Sequence, residues 1–195
     1  RQFSIDHLLF LSYFTHIPVS IRHLYHIHLS FSYHTTTKSN LAYTLYIMNK
    51  STWEIYTSTE EALNAMILAC ESATETIDLE QFIFVSDNFG NKLIDACSRK
   101  AKEGVKVRFI WDAAGSFSFF GNDTIENLKQ KGIELLFFKT LLPDFLDVPN
   151  YKSWYFRNHR RTLVVDGRVA LTGSICIWER TKDWRETNVR IEGPV

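Results

Sequence analysis

The sequence of 195 residues is short of several things, and each shortage narrows its reading. It has three cysteines, Cys70, Cys97 and Cys176, odd in number and widely spaced. No CxxC pair exists, so neither a disulfide framework nor a cysteine zinc site is indicated. Reduced thiols are the simplest reading, with Cys70 and Cys97 as small buried hydrophobes. Net charge is missing too, because 22 Lys plus Arg balance 22 Asp plus Glu. No global field draws the chain to nucleic acid or to an anionic membrane, and any such partner must meet a local patch. Glycine is absent before Gly90, and only one of the seven histidines, His159, lies beyond His34. The rest is ordinary for a globular chain, and the length suffices for one domain with a real core.

Composition changes near residue 48. Residues 1–47 are rich in Phe, Tyr, His, Ser and Thr, hold one acidic residue, Asp6, and show no sustained period of 3.6 or 2. A membrane anchor is one reading, but Arg22 and four histidines interrupt the apolar stretch Leu8 to Leu29. A histidine metal site is another, without HExxH or paired helical spacing to support it. The favoured reading is an upstream stretch read in frame, with the native start at Met48 and residues 1–47 outside the fold. The domain is then 48–195, and it is slightly acidic by formal count, which weighs against a nucleic-acid scaffold.

Beyond residue 48 the pattern is regular. Ser58 and Glu61 form an S-x-x-E capping box before a helix to about Ala73. Ile77 to Val85 reads as a buried strand, and Phe89 to Lys102 as a second helix stopped by Gly104. Val105 to Trp111 is a strand ending at Asp112. A loop from Ala113 to Gly121, a short helix over 123–131 and a strand over Ile133 to Phe138 come next. Alternating strands and helices predict an α/β fold: a mixed, mostly parallel sheet flanked by helices on both faces. Residues 139–156 are irregular and aromatic, with Phe145, Tyr151, Trp154, Tyr155 and Phe156. A loop of that length is usually functional or mobile.

The chemistry gathers after this loop. Asp166-Gly167 between two β-rich runs is a hairpin signal. A two-residue turn pairs Val165 with Arg168, Leu163 with Ala170, Arg161 with Thr172, His159 with Ser174 and Arg157 with Cys176. All of these then share one face. Its polar end collects an imidazole, two guanidinium groups and two hydroxyls, which is what a reacting phosphate needs. A cationic neighbourhood also keeps the His159 imidazole neutral, its nucleophilic form. Taken alone, a lone histidine is more often structural, and the arginines a solvated face.

The run His159-x-Arg161-x4-Asp166-x6-Gly173-Ser174 resembles the HxKx4D…GS signature of the phospholipase D superfamily. Its surroundings, Asn158-His-Arg-Arg, Val165-Asp-Gly and Trp184-Arg-Glu-Thr-Asn-Val-Arg-Ile-Glu-Gly-Pro194, resemble the bacterial cardiolipin synthase branch. The resemblance covers about residues 58–195 and implies a phospholipase D-like half carrying one motif. It implies phosphodiester transfer through a phosphohistidine, with no metal and no cofactor. One histidine attacks phosphorus, and the histidine of a second half serves as acid and base. Arg161 stands where the family has lysine and would grip the phosphate; Asp166 belongs to the same catalytic motif, in a structural or supporting charge role. Gly173, Ser174, Arg157, Thr172 and Cys176 are the expected substrate-binding residues. Arg161 is bulkier than lysine, and Cys176 replaces the family's usual asparagine.

The leading expectation is cardiolipin synthase-like phosphatidyl transfer between phosphatidylglycerol molecules, at the cytoplasmic face of a bacterial membrane or in the cytoplasm. The partners are then an anionic phospholipid, a membrane surface and a second motif-bearing half, with no specific nucleic acid. Glu192-Gly-Pro-Val195 reads as the entry to a further helix, so truncation is expected and the isolated half should be inactive. The alternatives are a homodimeric single-motif nuclease of the same superfamily and a non-catalytic remnant.

Overall fold

The computed structural model of the chain describes residues 51–116, 123–138 and 157–193. The expectations for residues 1–47 and for the aromatic loop 139–156 fall outside the described residues. In chain order the described elements are β1 (Thr52–Ser58), α1 (Thr59–Glu71), β2 (Thr76–Gln81), α2 (Asn88–Lys102) and β3 (Lys106–Asp112). After these come α3 (Thr124–Gln130), β4 (Ile133–Phe138), β5 (Arg161–Val165), β6 (Val169–Gly173), a short 3-10 turn at Glu179–Thr181 and β7 (Arg185–Glu192).

The helices start where the sequence says they should. The Ser58 hydroxyl accepts from the Glu61 N–H at 3.1 Å and caps α1. The Asp87 carboxylate accepts from the Gly90 N–H at 3.0 Å and caps α2. Gly90 is glycine for a steric reason: a Cβ there would run into the Val85 carbonyl.

Seven strands among the described residues form one sheet in the order β1-β7-β6-β5-β2-β3-β4. The class is mixed α/β, as expected. Parallel pairing, however, is confined to β2–β3 and β3–β4, and the other four pairings are antiparallel. The sheet is therefore not mostly parallel. Only the β2-α2-β3-α3-β4 stretch supplies the crossovers that parallel strands require. The β5–β6 hairpin needs none.

The helices also differ from expectation, because all three described ones share one face. Ile77 and Leu79 of β2, Val107, Phe109 and Trp111 of β3, Ile133 of β4, Leu163 and Val165 of β5 and Leu171 of β6 point to one side. Ala62, Leu63 and Met66 of α1, Leu93 and Cys97 of α2 and Leu128 of α3 join them in a single core. Crossovers of constant hand that step in one direction along the sheet keep their helices on one side. The opposite face carries buried charge instead. Arg108 grips Asp78 with two bonds of 2.6 and 2.9 Å, and Arg160 stands 3.8 Å from Glu80.

Cys70 and Cys97 are fully buried free thiols between α1 and α2, their sulfurs 3.7 Å apart. The hydrogen bond from Cys97, together with burial, pushes the Cys70 thiol well above its ordinary pKa. Among the described residues no helix is long and apolar enough to cross a membrane, and no group of three His, Cys, Asp or Glu side chains is placed to hold a metal.

Candidate active site

The hairpin sets the site's geometry, and its register is one residue away from the expected one. Asp166 and Gly167 do occupy the turn, both with positive φ, 51° and 60°, and the Arg168 N–H closes it on the Val165 carbonyl. The ladder then pairs Val165 with Val169, Val164 with Ala170, Leu163 with Leu171 and Thr162 with Thr172. Arg168 is an extra residue on the β6 side, a bulge. A one-residue slip changes which side chains share a face. Thr172 therefore leaves the face of Arg161 and meets Thr162, hydroxyl to hydroxyl at 3.0 Å. Its place in the substrate-binding group is corrected on that ground.

His159 stands just before β5, exposed, where the carboxyl ends of the parallel strands β2 and β3 meet the start of β5. This edge of an open α/β sheet is the usual place for a ligand. Two neighbours hold the ring. Phe82, the first residue past β2, lies 4.5 Å from it between centroids. The Arg161 guanidinium runs alongside, its Nη atoms 3.1 Å from Nε2 and 3.4 Å from Nδ1. The same guanidinium sits 5.6 Å from the Phe82 ring centre, within cation–π range. Desolvation first, and Arg161 second, hold the imidazole below its ordinary pKa, while Asp112 works the other way. Desolvation and Arg161 both push the ring towards its neutral form, in which one nitrogen is free of a proton.

The segment leading to His159 is anchored from β3. Asp112, fully buried, accepts from Arg157 Nη2 at 2.7 Å and Nε at 3.0 Å, and from the Asn158 N–H at 2.9 Å. Arg157 is therefore engaged with a carboxylate rather than free for phosphate, which corrects its substrate-binding role. Asp166 is also relocated. It sits at the far end of β5 from His159, about 20 Å away at the rise of a strand. Its carboxylate accepts from the N–H groups of Thr74, Glu75 and Thr76 and from the Thr74 hydroxyl, all at 2.8–2.9 Å. Burial alone would raise its pKa, but these donors hold it below the ordinary value. Asp166 fastens the hairpin to β2, and its geometry keeps it away from reacting atoms.

The Gly173–Cys176 turn lies at the same edge. A Cβ on Gly173 would strike the Thr187 carbonyl and the Asn188 side chain, so β6 and β7 can close here only on a glycine. Ser174 Oγ accepts from the Thr187 N–H at 3.1 Å and faces β7. Two buried amides fix the next residue. Gln81 Nε2 donates to the Ile175 carbonyl at 2.9 Å, and the Ile175 N–H donates to Asn188 Oδ1 at 3.0 Å. Their other amide atoms, Gln81 Oε1 and Asn188 Nδ2, are buried with no hydrogen-bond partner among the described residues, as is Arg161 Nε. Cys176 is buried, its sulfur 4.0 Å from the Ser174 carbonyl.

Sequence reading thus brought His159 and Arg161 together correctly and placed Gly173 and Ser174 at the same edge. It missed Phe82, Gln81, Asp112 and Asn188. Asp112 carried a visible signal, a carboxylate closing a strand otherwise buried. The buried amides carried none, because a lone Gln at the end of β2 or a lone Asn within β7 reads as an ordinary polar strand residue.

Comparison with known proteins places this arrangement. Residues 66–194 match the family model described as cardiolipin synthase, PLD-like domain. The chain belongs to that family. Among curated relatives it is 31% identical over 156 residues to a probable cardiolipin synthase, YwiE, of Bacillus subtilis (strain 168), covering 76% of the chain and 30% of that protein. It is 36% identical over 146 residues to a cardiolipin synthase of Geobacillus thermodenitrificans (strain NG80-2), covering 71% of the chain and 28% of the relative. The PLD-like domain thus spans about 30% of the length of the curated relatives it matches. Among solved structures, NucT from Helicobacter pylori superposes with a TM-score of 0.57 at 17% identity, covering 73% of this chain and 86% of that one. Nuc from Salmonella typhimurium, a phospholipase D family member, gives 0.54 at 19% identity, covering 75% and 85%. Both share the fold of this PLD-like domain.

Proposed function

We propose that this chain supplies one half of a phosphodiester-transfer site, with His159 as its reacting imidazole and Arg161 as its phosphate grip. The observation that carries the proposal is the exposed His159 ring braced between Phe82 and the Arg161 guanidinium at the carboxyl edge of the sheet, where its pKa is held down. A second half, from another stretch of a longer chain or from a second copy, brings the other imidazole. One imidazole cannot be nucleophile and general acid at the same moment.

Identity to cardiolipin synthases favours phosphatidyl transfer between phosphatidylglycerol molecules. In that reaction one imidazole nitrogen bonds to phosphorus and the bond from phosphorus to the glycerol oxygen breaks. The other imidazole gives the departing glycerol its proton. A glycerol hydroxyl of a second phosphatidylglycerol then yields its proton to that imidazole, bonds to phosphorus and releases the first. Arg161 meets the phosphate oxygens with a charged donor throughout. No metal or cofactor enters this scheme, and Asp166 acts only by holding the hairpin.

The second reading, a homodimeric single-motif nuclease, draws on the fit to NucT and Nuc over most of their length. The slightly acidic composition beyond Met48 opposes it, since phosphate backbones call for basic surfaces. Vesicles containing phosphatidylglycerol, and separately plasmid DNA, are incubated with the chain alone and with the chain plus the C-terminal half of a matched relative. Cardiolipin and free glycerol appearing only in the paired sample support phosphatidyl transfer. DNA nicking by the chain alone, without lipid turnover, would overturn it.

A further inference from the structure

We infer that Asp112 is a positioning residue for the reaction at His159, pinning Arg157 and the Asn158 peptide to the end of β3 and so fixing where the imidazole stands. The inference rests on the proposed reading of His159 as the reacting group. Asp112 is 0% exposed. From one side it accepts from its own loop, the Ala114 N–H at 2.9 Å and the Gly115 N–H at 3.3 Å. From the other it accepts two guanidinium nitrogens of Arg157 and the Asn158 N–H. One side chain therefore ties the loop after β3 to the residues just before His159.

The hold continues past the histidine. The Arg160 N–H donates to Asn158 Oδ1 at 3.3 Å, and Arg161 enters the β2 ladder opposite Gln81. The backbone is fixed on both sides of His159 while its side chain stays exposed. A buried ion pair is weak evidence of stability, since apolar residues of like volume often do as well. A pair that fixes a direction is a different matter, because a displacement of about 1 Å at a reacting group can cost about 10²-fold in rate. Asp112 also brings a negative charge that opposes Arg161 at the imidazole. Without it the ring would lose both its place and part of its basicity.

The test uses the full chain and reads the His159 ring directly. The Phe82 ring 4.5 Å away displaces the His159 ring-proton resonances, which are assigned by their loss in His159→Gln. Asp112→Asn keeps the shape and removes the charge. Arg157→Gln keeps Asp112 and breaks the clamp. If Asp112 positions the histidine, both variants keep a native amide spectrum away from residues 112–116 and 157–161. In both, the ring-current displacement collapses towards the free-histidine value. If the displacement persists in either folded variant, the inference is overturned. If neither variant folds, the pair is a support of the fold and the positioning role is likewise overturned. None of these outcomes depends on turnover, so failure of the transfer reaction remains a separate result.

Discussion

Glu80 shows what one residue can reveal about this fold. It sits buried on the sheet face away from the helices, beside Asp78, with Arg160 3.8 Å off. Burial, and then the Asp78 carboxylate, push its pKa up to about 7. At 3.8 Å, Arg160 is too far to offset that cost with a short charged hydrogen bond. The sign comes from linkage. The folded pKa lies above the unfolded value near 4.5, so Glu80's contribution to stability is whole below about pH 4.5 and is lost as pH rises through about 7. Glu80→Gln removes the titration and keeps the shape. Denaturant unfolding at pH 5 and pH 8 should show the parent losing about 2–3 kcal/mol more than the variant between the two. Equal losses would show that the carboxyl does not bear the burial cost. The strand was legible as buried, but the cost borne by Glu80 was not, because Asp78 and Glu80 alternating with Ile77 and Leu79 can also be written for a strand with one wet face.

The hairpin is the element on which sequence and structure agree in kind and part in register. Asp166-Gly167 announced the turn, because both positions need positive φ. The bulge at Arg168 was not announced, since nothing in Arg168-Val169 distinguishes a bulged residue from a paired one. That single step carried Thr172 to the other face and broke the expected polar row. β2 to β4 were legible from their apolar runs, β4 to its ends, the two hairpin strands from the turn between them, and the helices from their start and stop residues. β7 was not legible as a strand, because Arg185–Glu192 carries no apolar run. The side of the sheet on which the helices pack is a matter of handedness, which no local pattern records. β1 was missed because Trp53 and Ile55, its large apolar residues, are exposed, so it reads as neither core nor surface. The turn also makes a prediction. Asp166→Ala removes an acceptor of four hydrogen bonds and leaves a residue at φ 51° without the side-chain bonds that offset that conformation. It should destabilise the chain by about 2–3 kcal/mol in thermal or urea unfolding. Arg161 and His159 should keep their mutual geometry, visible as an unchanged His159 pKa. A stable variant with a moved histidine would place Asp166 at the site after all.

At the scale of the whole molecule, one sheet edge gathers the side chains that the proposed half-site would use. Phe82 and Gln81 come from β2 and its end, Asp112 from β3, His159 and Arg161 from the entry to β5, and Gly173 and Ser174 from the exit of β6. Helices on one face hold the strands in place, and their core is apolar and continuous. Family membership was legible because the motif spacing survives even where Arg161 stands for lysine and Cys176 for asparagine. The supporting amides were not, and of the Asp112 clamp only the carboxylate's place at the end of a buried strand was, because the contacts themselves are created by the fold. The central claim is that the His159 imidazole reacts, as nucleophile or as proton carrier. It is tested most directly by cardiolipin formation in phosphatidylglycerol vesicles, comparing the chain and its His159→Gln variant, each paired with the same second half. The account predicts a fall of at least about 10²-fold in the variant, whichever role the ring plays. Equal rates from the two proteins would contradict it.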